Sequence, residues 1–277
     1  LGVQESNVYV GGAFSAAGGV GATNIAHWNG LRWSALDTGF DGPVYAIAVQ
    51  APKVYAGGEF GNASGTNVAN VAQWDGTAWQ QMGDGVNGPV RVIQVLNTNE
   101  VYVGGEFGQA GGTPARHIAK WNGGAWSALA GGLDGPVRAI VGWGTNVCAG
   151  GSFASADGLN VQGVALWNGT AWSWFDPTTD QTTPTVNALA VSGNSLYVAG
   201  QFTTIHGQTA SHIARWDGNN WQVLGRGIDG LSPVVYALAS SGDKVYAGGL
   251  FEFAGGLVAR NIAVWNNGNI WKDLGGG

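Results

Sequence analysis

The chain has 277 residues, of which 50 are glycine and 14 tryptophan, while 11 Lys+Arg against 17 Asp+Glu give a net charge of −6. Only 8 prolines and no G-X-Y period exclude a collagen helix, and 45% hydrophobic with 11% aromatic content excludes a disordered chain. The acidic balance without any basic run excludes phosphate-backbone binding to nucleic acid. No apolar run is long enough for a membrane-spanning helix, and one cysteine, Cys148, excludes an internal disulfide.

Read along the chain, the elements repeat. The first apolar segment, Val8-Tyr9-Val10-Gly11-Gly12, returns at Val54 to Gly58, Val101 to Gly105, Val147 to Gly151, Leu196 to Gly200 and Val245 to Gly249, at spacings of 46, 47, 46, 49 and 49 residues. Downstream of each start stands Trp-Asn/Asp-Gly-x-x-Trp: Trp28/Trp33, Trp74/Trp79, Trp121/Trp126, Trp167/Trp172, Trp216/Trp221 and, with one residue inserted, Trp265/Trp271. A further apolar segment follows, mostly announced by Asp/Asn-Gly-Pro, at Val44 to Val49, Val90 to Val95, Val137 to Val141, Val186 to Val191 and Val235 to Ala239.

Each unit therefore predicts four short strands, A to D, as in Pro43 to Val49, Val54 to Phe60, Val68 to Trp74 and Ala78 to Met82. Asn-Gly or Asp-Gly between the paired tryptophans predicts a type I′ hairpin from C to D, with positive φ at both central residues. Strand A is apolar on both faces, the pattern of a sheet covered on both sides. Four-stranded sheets recurring at this period are propeller blades, so the expected fold is an all-β, six-bladed β-propeller in one domain over residues 1–277. Leu1-Gly2-Val3 aligns with Ile47-Ala48-Val49, the end of a strand A. Six sets of B, C and D thus meet five complete A strands, which predicts a native polypeptide that continues beyond this segment.

A hydrophobic-Tyr-hydrophobic-Gly-Gly strand, a variable loop, and a strand ending before a turn and a Trp resemble the kelch repeat, and the resemblance covers the whole chain. Asp-Gly-Pro stands here where kelch repeats commonly carry an Arg-Pro pattern, and the paired Trp around Asn-Gly is closer to secreted bacterial kelch-like repeats. The resemblance implies β-propeller blades; it leaves function open, because propellers serve as scaffolds, lectins and, in a few cases, enzymes.

Several apparent chemical motifs dissolve on alignment. Gly83 to Gly88 and Gly225 to Gly230 spell G-x-G-x-x-G but lead into strand A and open no helix, so no nucleotide site is expected. His117 and His212 fall where other units have Asn24, Asn70 and Asn261, and His27 and His206 have no ligand-spaced partner, so no metal and no other cofactor is expected. Cys148 replaces a repeat tyrosine and reads as a small buried hydrophobe. No nucleophile, acid or base set stands out, and no catalytic role is expected.

Asp41, Asn87, Asp134 and Asp229 share one position just before strand A. Either they form the turn through side-chain bonds to the backbone, or they crowd a channel mouth and meet a cation or a partner's Arg. Alternating strand direction puts the B–C and D–A loops on one face, with Trp143 toward the other. The B–C loops, such as Thr203 to Ser211, vary most. Binding is expected there, with Phe40, Trp174, Phe175 and Phe253 as exposed stacking groups and Asp41, Asp134, His206 and Asp229 as polar ones. The sequence thus reads as a non-catalytic recognition or assembly module that binds a protein partner or a second copy. A glycan-binding lectin is the alternative, and a propeller hydrolase or lyase ranks third. Its charge-poor, Gly/Asn/Thr/Trp-rich composition points to an extracellular or cell-surface location.

Overall fold

The structure, a computed structural model, describes residues 1–98, 100–175, 184–266 and 270–275, and all of its regular elements are β-strands. The chain divides into two compact units, Leu1–Val137 and Arg138–Gly277, the boundary falling at the first residue of a strand A. Among the described residues each unit holds three antiparallel four-stranded sheets in the order A-B-C-D.

The second sheet shows the plan: Val44–Gln50, Lys53–Gly58, Val71–Trp74 and Trp79–Gln81. The sequence boundaries hold within a few residues, except that strand C starts at Val71 and not Val68. The third sheet begins with Val90–Asn97, the fourth with Val137–Trp143, the fifth with Thr185–Ser192 and the sixth with Val234–Ser241. In the first sheet strand A is Gly2–Gln4, three residues long, paired to Asn7–Gly11 through Gly2↔Tyr9 to Gln4↔Asn7. Strand A bulges at its start in the second, third, fifth and sixth sheets, between Val44 and Ala46 and at the matching positions.

Each C–D turn joins two facing tryptophans, for example Trp74↔Trp79, whose rings lie 5.4 Å apart and tilted. In the five C–D turns among the described residues the expected type I′ geometry is not what forms. Only the glycine takes positive φ, as at Gly76 (φ 107°), because the preceding Asp75 bends the chain with its carboxylate. Its Oδ1 accepts from the backbone N–H of Thr77 at 2.8 Å and of Ala78 at 2.9 Å, and Asn29, Asn122, Asn168 and Asp217 repeat the arrangement.

The two-residue hairpins with two left-handed residues lie instead inside the B–C loops. There, short strand pairs such as Asn62–Ala63 with Thr66–Asn67 close over Ser64-Gly65, and Gly18-Gly19, Gly111-Gly112, Asp157-Gly158, His206-Gly207 and Gly255-Gly256 do the same. The loops expected to vary freely therefore share one conformation. A second left-handed position precedes strand C, at Asn24, Asn70, His117, His212 and Asn261 (φ 63–68°), which explains why Asn and His alternate there: both tolerate that region better than most side chains.

Within each unit the apolar core lies between successive sheets. Val90 of the third sheet drops onto Gly57 of the second so closely that a Cβ there would sit 2.3 Å from Val90 Cγ1. Val44 meets Gly11, and Val186 meets Gly150, in the same way. The first glycine of each such B-strand pair is thus a socket for the next sheet's strand A, while the second, as at Gly58 against the Pro43 carbonyl, leaves room for its own sheet's backbone. The indole N–H of Trp79 donates to the Leu36 carbonyl, that of Trp126 to Met82 and that of Trp271 to Leu224, each in the preceding sheet. Cys148 is fully buried in a B strand, and burial pushes its thiol pKa up, in keeping with a small packing group.

Candidate functional site

The segment leading into strand A fastens one sheet to the next. Phe40 was expected to be an exposed stacking group; it is buried, with its ring 4.3 Å from Phe60 and 4.6 Å from Trp79. Its N–H donates to the Thr23 carbonyl at 3.2 Å, and Asn24 Nδ2 donates back to its carbonyl at 2.9 Å. Val86 makes the same pair with Ala69 and Asn70, and the N–H groups of Leu133 and Ile228 donate to Arg116 and Ser211. Phe40, Val86, Leu133 and Ile228 are all buried. An apolar residue is required here because it enters the core between sheets, a signal legible in the repeat ahead of each Asp/Asn-Gly.

The next residue acts locally. Asp41 Oδ1 accepts from the N–H groups of Gly61 and Asn62, both at 2.9 Å, and Asn87 accepts identically from Gly108 and Gln109. Asp229 accepts from Gly230 N–H at 2.8 Å, and Asp134 stands at the equivalent position ahead of the fourth sheet. At 41 and 87 the side chains hold the start of the B–C hairpin of their own sheet, 20 to 22 residues on, and do not close their own turn. Among the described residues no three His, Cys, Asp or Glu side chains gather as a metal site.

His206 was expected on the exposed face; it is buried, lying flat against Trp221 with ring centroids 5.3 Å apart. It occupies the first hairpin position, where Gly18, Gly111 and Gly255 pack against the tryptophan of their own sheet, so its imidazole fills the space over the indole. Phe175 also departs from expectation. It is half-buried among Trp143, Trp216 and Trp221, at 5.7–5.8 Å, and so sits beside the C–D turn and not on the loop face. Trp174, next to it, is exposed. Trp143 donates its indole N–H to Asn194 in the adjoining A–B turn, on the side expected for it.

What remains on the loop face is Phe253, half-buried in the B–C hairpin of the sixth sheet, and it borders a cavity of about 550 Å³. The cavity is lined by Leu231 and Ser232, a two-residue insertion between Asp229-Gly230 and the proline before strand A, and by Leu250, Glu252, Phe253, Val258, Arg260 and Asn261. Leu231 is 93% exposed and Leu250 53%. In four of the other five units the position of Leu250 is polar, as Glu59, Glu106, Ser152 and Gln201, and in the first it is Ala13. Glu59 accepts from Tyr45 Oη at 3.2 Å, and Glu106 pairs with Arg91 at 2.9 Å while the Arg91 guanidinium lies 4.3 Å above the Tyr45 ring. Tyr236, the equivalent of Tyr45, faces no such acid and is exposed. The sixth sheet thus carries a largely apolar cleft whose lining also includes Glu252, Arg260 and Asn261, suited to an apolar side chain on a polar backbone. Sequence reasoning found Phe253 but missed Leu231, whose signal is the insertion before Pro233, and Leu250, a large apolar residue where the other units carry Glu, Ser, Gln or Ala.

No family model matches the chain, and no curated protein matches it in sequence. Solved structures do resemble it. The computationally designed Ika8 protein, at 17% identity and a TM-score of 0.52, is similar over 95% of this chain and 81% of its own. YCF48 bound to D1 peptide, a propeller-type protein, is similar at 16% identity and a TM-score of 0.55, over 91% of this chain and 75% of its own. At such identities the likeness concerns the fold: repeated four-stranded antiparallel sheets of the propeller type.

Proposed function

We propose that this chain is a six-bladed, kelch-like β-propeller that acts without catalysis as a protein-recognition module outside the cell or on its surface. The ligand site is the cleft of the sixth sheet. The observation that carries this reading is the apolar cleft itself, built from Leu231 on the D–A loop, Leu250 at the end of strand B, and Phe253 and Val258 on the B–C loop. Six four-stranded sheets support the blade number, and Val/Leu-x-x-Gly/Ala-Gly strands recurring every 46–49 residues support the kelch likeness. YCF48 holds a D1 peptide, and a peptide is the class of ligand that this cleft suits: an apolar side chain enters, and its backbone meets Arg260 and Asn261.

The test is selection of a peptide library displayed on phage against the native protein and against Leu250→Glu. Peptides enriched on the native protein and at least tenfold weaker on the variant support the reading. Peptides that bind both equally overturn the site, and binding confined to a glycan array moves the protein to the lectin class.

A further inference from the structure

The sequence Gly-Pro-Val-Arg opens strand A in two sheets, at Gly88 to Arg91 in the third and Gly135 to Arg138 in the fourth. In both, strand B ends in Gly-Gly, and the next residue is Glu106 in the third sheet and Ser152 in the fourth. The third sheet satisfies its own arginine: Arg91 Nε donates to Glu106 Oε1 at 2.9 Å. In the fourth sheet the arginine is kept and the acid is gone. Arg138 Nε donates to Ser152 Oγ at 3.3 Å, and the Ser152 hydroxyl donates on, at 3.4 Å, to Oγ1 of Thr185, the first residue of the fifth sheet's strand A. Among the described residues ion pairs form at Arg91–Glu106 and Lys120–Glu100 and not at Arg138. Arg138 is exposed, while Ser152 and Thr185 are half-buried.

A serine oxygen occupies Nε but leaves the charge unbalanced and the two terminal nitrogens open. That pair forms the fork which a carboxylate matches with two parallel hydrogen bonds. We infer that Arg138 is a carboxylate site, at which an Asp or Glu side chain of a bound polypeptide takes the part that Glu106 plays for Arg91. This rests on the protein-recognition reading and adds a second point of recognition, on the fourth sheet, apart from the sixth-sheet cleft. The precedent within the chain is a side-chain carboxylate. One guanidinium balances one such group, whereas a phosphate monoester brings close to two charges. An exposed Arg–carboxylate pair adds little affinity on its own, so the site selects among polypeptides held by further contacts and does not retain a small acid by itself.

The experiment selects phage-displayed random peptides of about 16 residues, which reach about 50 Å when extended, on the intact protein and on three variants. Ser152→Glu supplies the acid from within, as in the third sheet. Arg138→Gln removes the fork, and Lys244→Gln makes the same change of net charge at an exposed lysine of the sixth sheet. Peptides from the native protein and from Lys244→Gln should be enriched in an acidic residue at one place, and those from Ser152→Glu and Arg138→Gln should not. In fluorescence polarisation, replacing that acid by its amide should weaken binding to the native protein twofold to fivefold and leave binding to Ser152→Glu unchanged. Circular dichroism and melting of all three variants should match the native protein. No acidic enrichment on the native protein, enrichment that persists on Ser152→Glu or Arg138→Gln, or enrichment lost equally on Lys244→Gln overturns the inference. If the selected peptides depend on Leu250 and carry no acid that depends on Arg138, the recognition reading stands and only this site falls. A selection that returns no peptide overturns both.

Discussion

The indole N–H of Trp126 donates to the carbonyl oxygen of Met82 at 2.7 Å, 44 residues earlier in the chain and one sheet away. In the second, third and sixth sheets the paired tryptophans thus do two jobs: they face each other across the C–D turn, and the strand-D member, Trp79, Trp126 or Trp271, ties its sheet to the preceding one. Trp121, the partner of Trp126, is buried, and Trp121→Ala should cost about 3–5 kcal/mol, the usual range for truncating a large core side chain. Trp174→Ala, at an exposed position outside the repeat, should cost under about 1 kcal/mol. Urea unfolding of the two variants checks this; equal losses would contradict the assignment of the repeat tryptophans to the core.

The socket geometry makes a matched pair of glycines. Gly57→Ala pushes a methyl group to within 2.3 Å of Val90 and should destabilise by about 1–3 kcal/mol, as overpacking does. Gly248→Ala places its methyl group at an ordinary 3.9 Å from the Asn261 carbonyl oxygen and should lie within about 0.5 kcal/mol of the native protein or be slightly more stable. Chemical denaturation curves of both variants decide the point.

Asp41 should be replaceable by one residue and not by another. Asp41→Ala removes the acceptor for two backbone N–H groups and should cost about 1 kcal/mol, whereas Asp41→Asn restores the arrangement seen at Asn87 and should be nearly neutral. A melting comparison in which Asn is as damaging as Ala would show that charge, and not the turn, matters at 41.

Burial holds the His212 imidazole below its ordinary pKa, so the folded chain binds a proton there less readily than the unfolded chain. As pH falls through about 6.5, the unfolded state takes up a proton that the folded state resists, and stability is lost. His212→Asn, the residue found at the same left-handed position in three other units, should reduce the loss between pH 7.5 and pH 5.5. His27, also lowered by burial, should account for part of what remains. Parallel urea titrations at the two pH values read the difference.

The strands were legible because their apolar residues recur at a constant period and because tryptophan marks the C–D turn in every unit. Less legible were features set by contact between units of the repeat. Phe40 read as a loop aromatic because aromatic residues in loops are often exposed, yet its place in the series Phe40, Val86, Leu133, Ile228 gives it a core role. The C–D turns were assigned from Asn-Gly alone, which does not distinguish a left-handed Asn from one whose side chain accepts two N–H groups. The B–C hairpins hid behind varied residues, although Gly18-Gly19, Gly111-Gly112 and Gly255-Gly256 spell the two left-handed positions outright. His206 read as a surface side chain because its stacking partner, Trp221, is fifteen residues away and in register only once the sheet forms.

The carboxamide turns also set how the protein ages chemically. Asn29-Gly30, Asn122-Gly123 and Asn168-Gly169 are sequences prone to deamidation, and in each the asparagine Oδ1 is engaged with two backbone N–H groups. Conversion to aspartate leaves those bonds intact, since Asp75 and Asp217 already perform the same task in the second and fifth sheets. Conversion to isoaspartate routes the main chain through the former side chain and removes that acceptor. Two products of equal mass would thus have opposite effects, one adding a silent negative charge and the other unfastening the facing tryptophans from their turn.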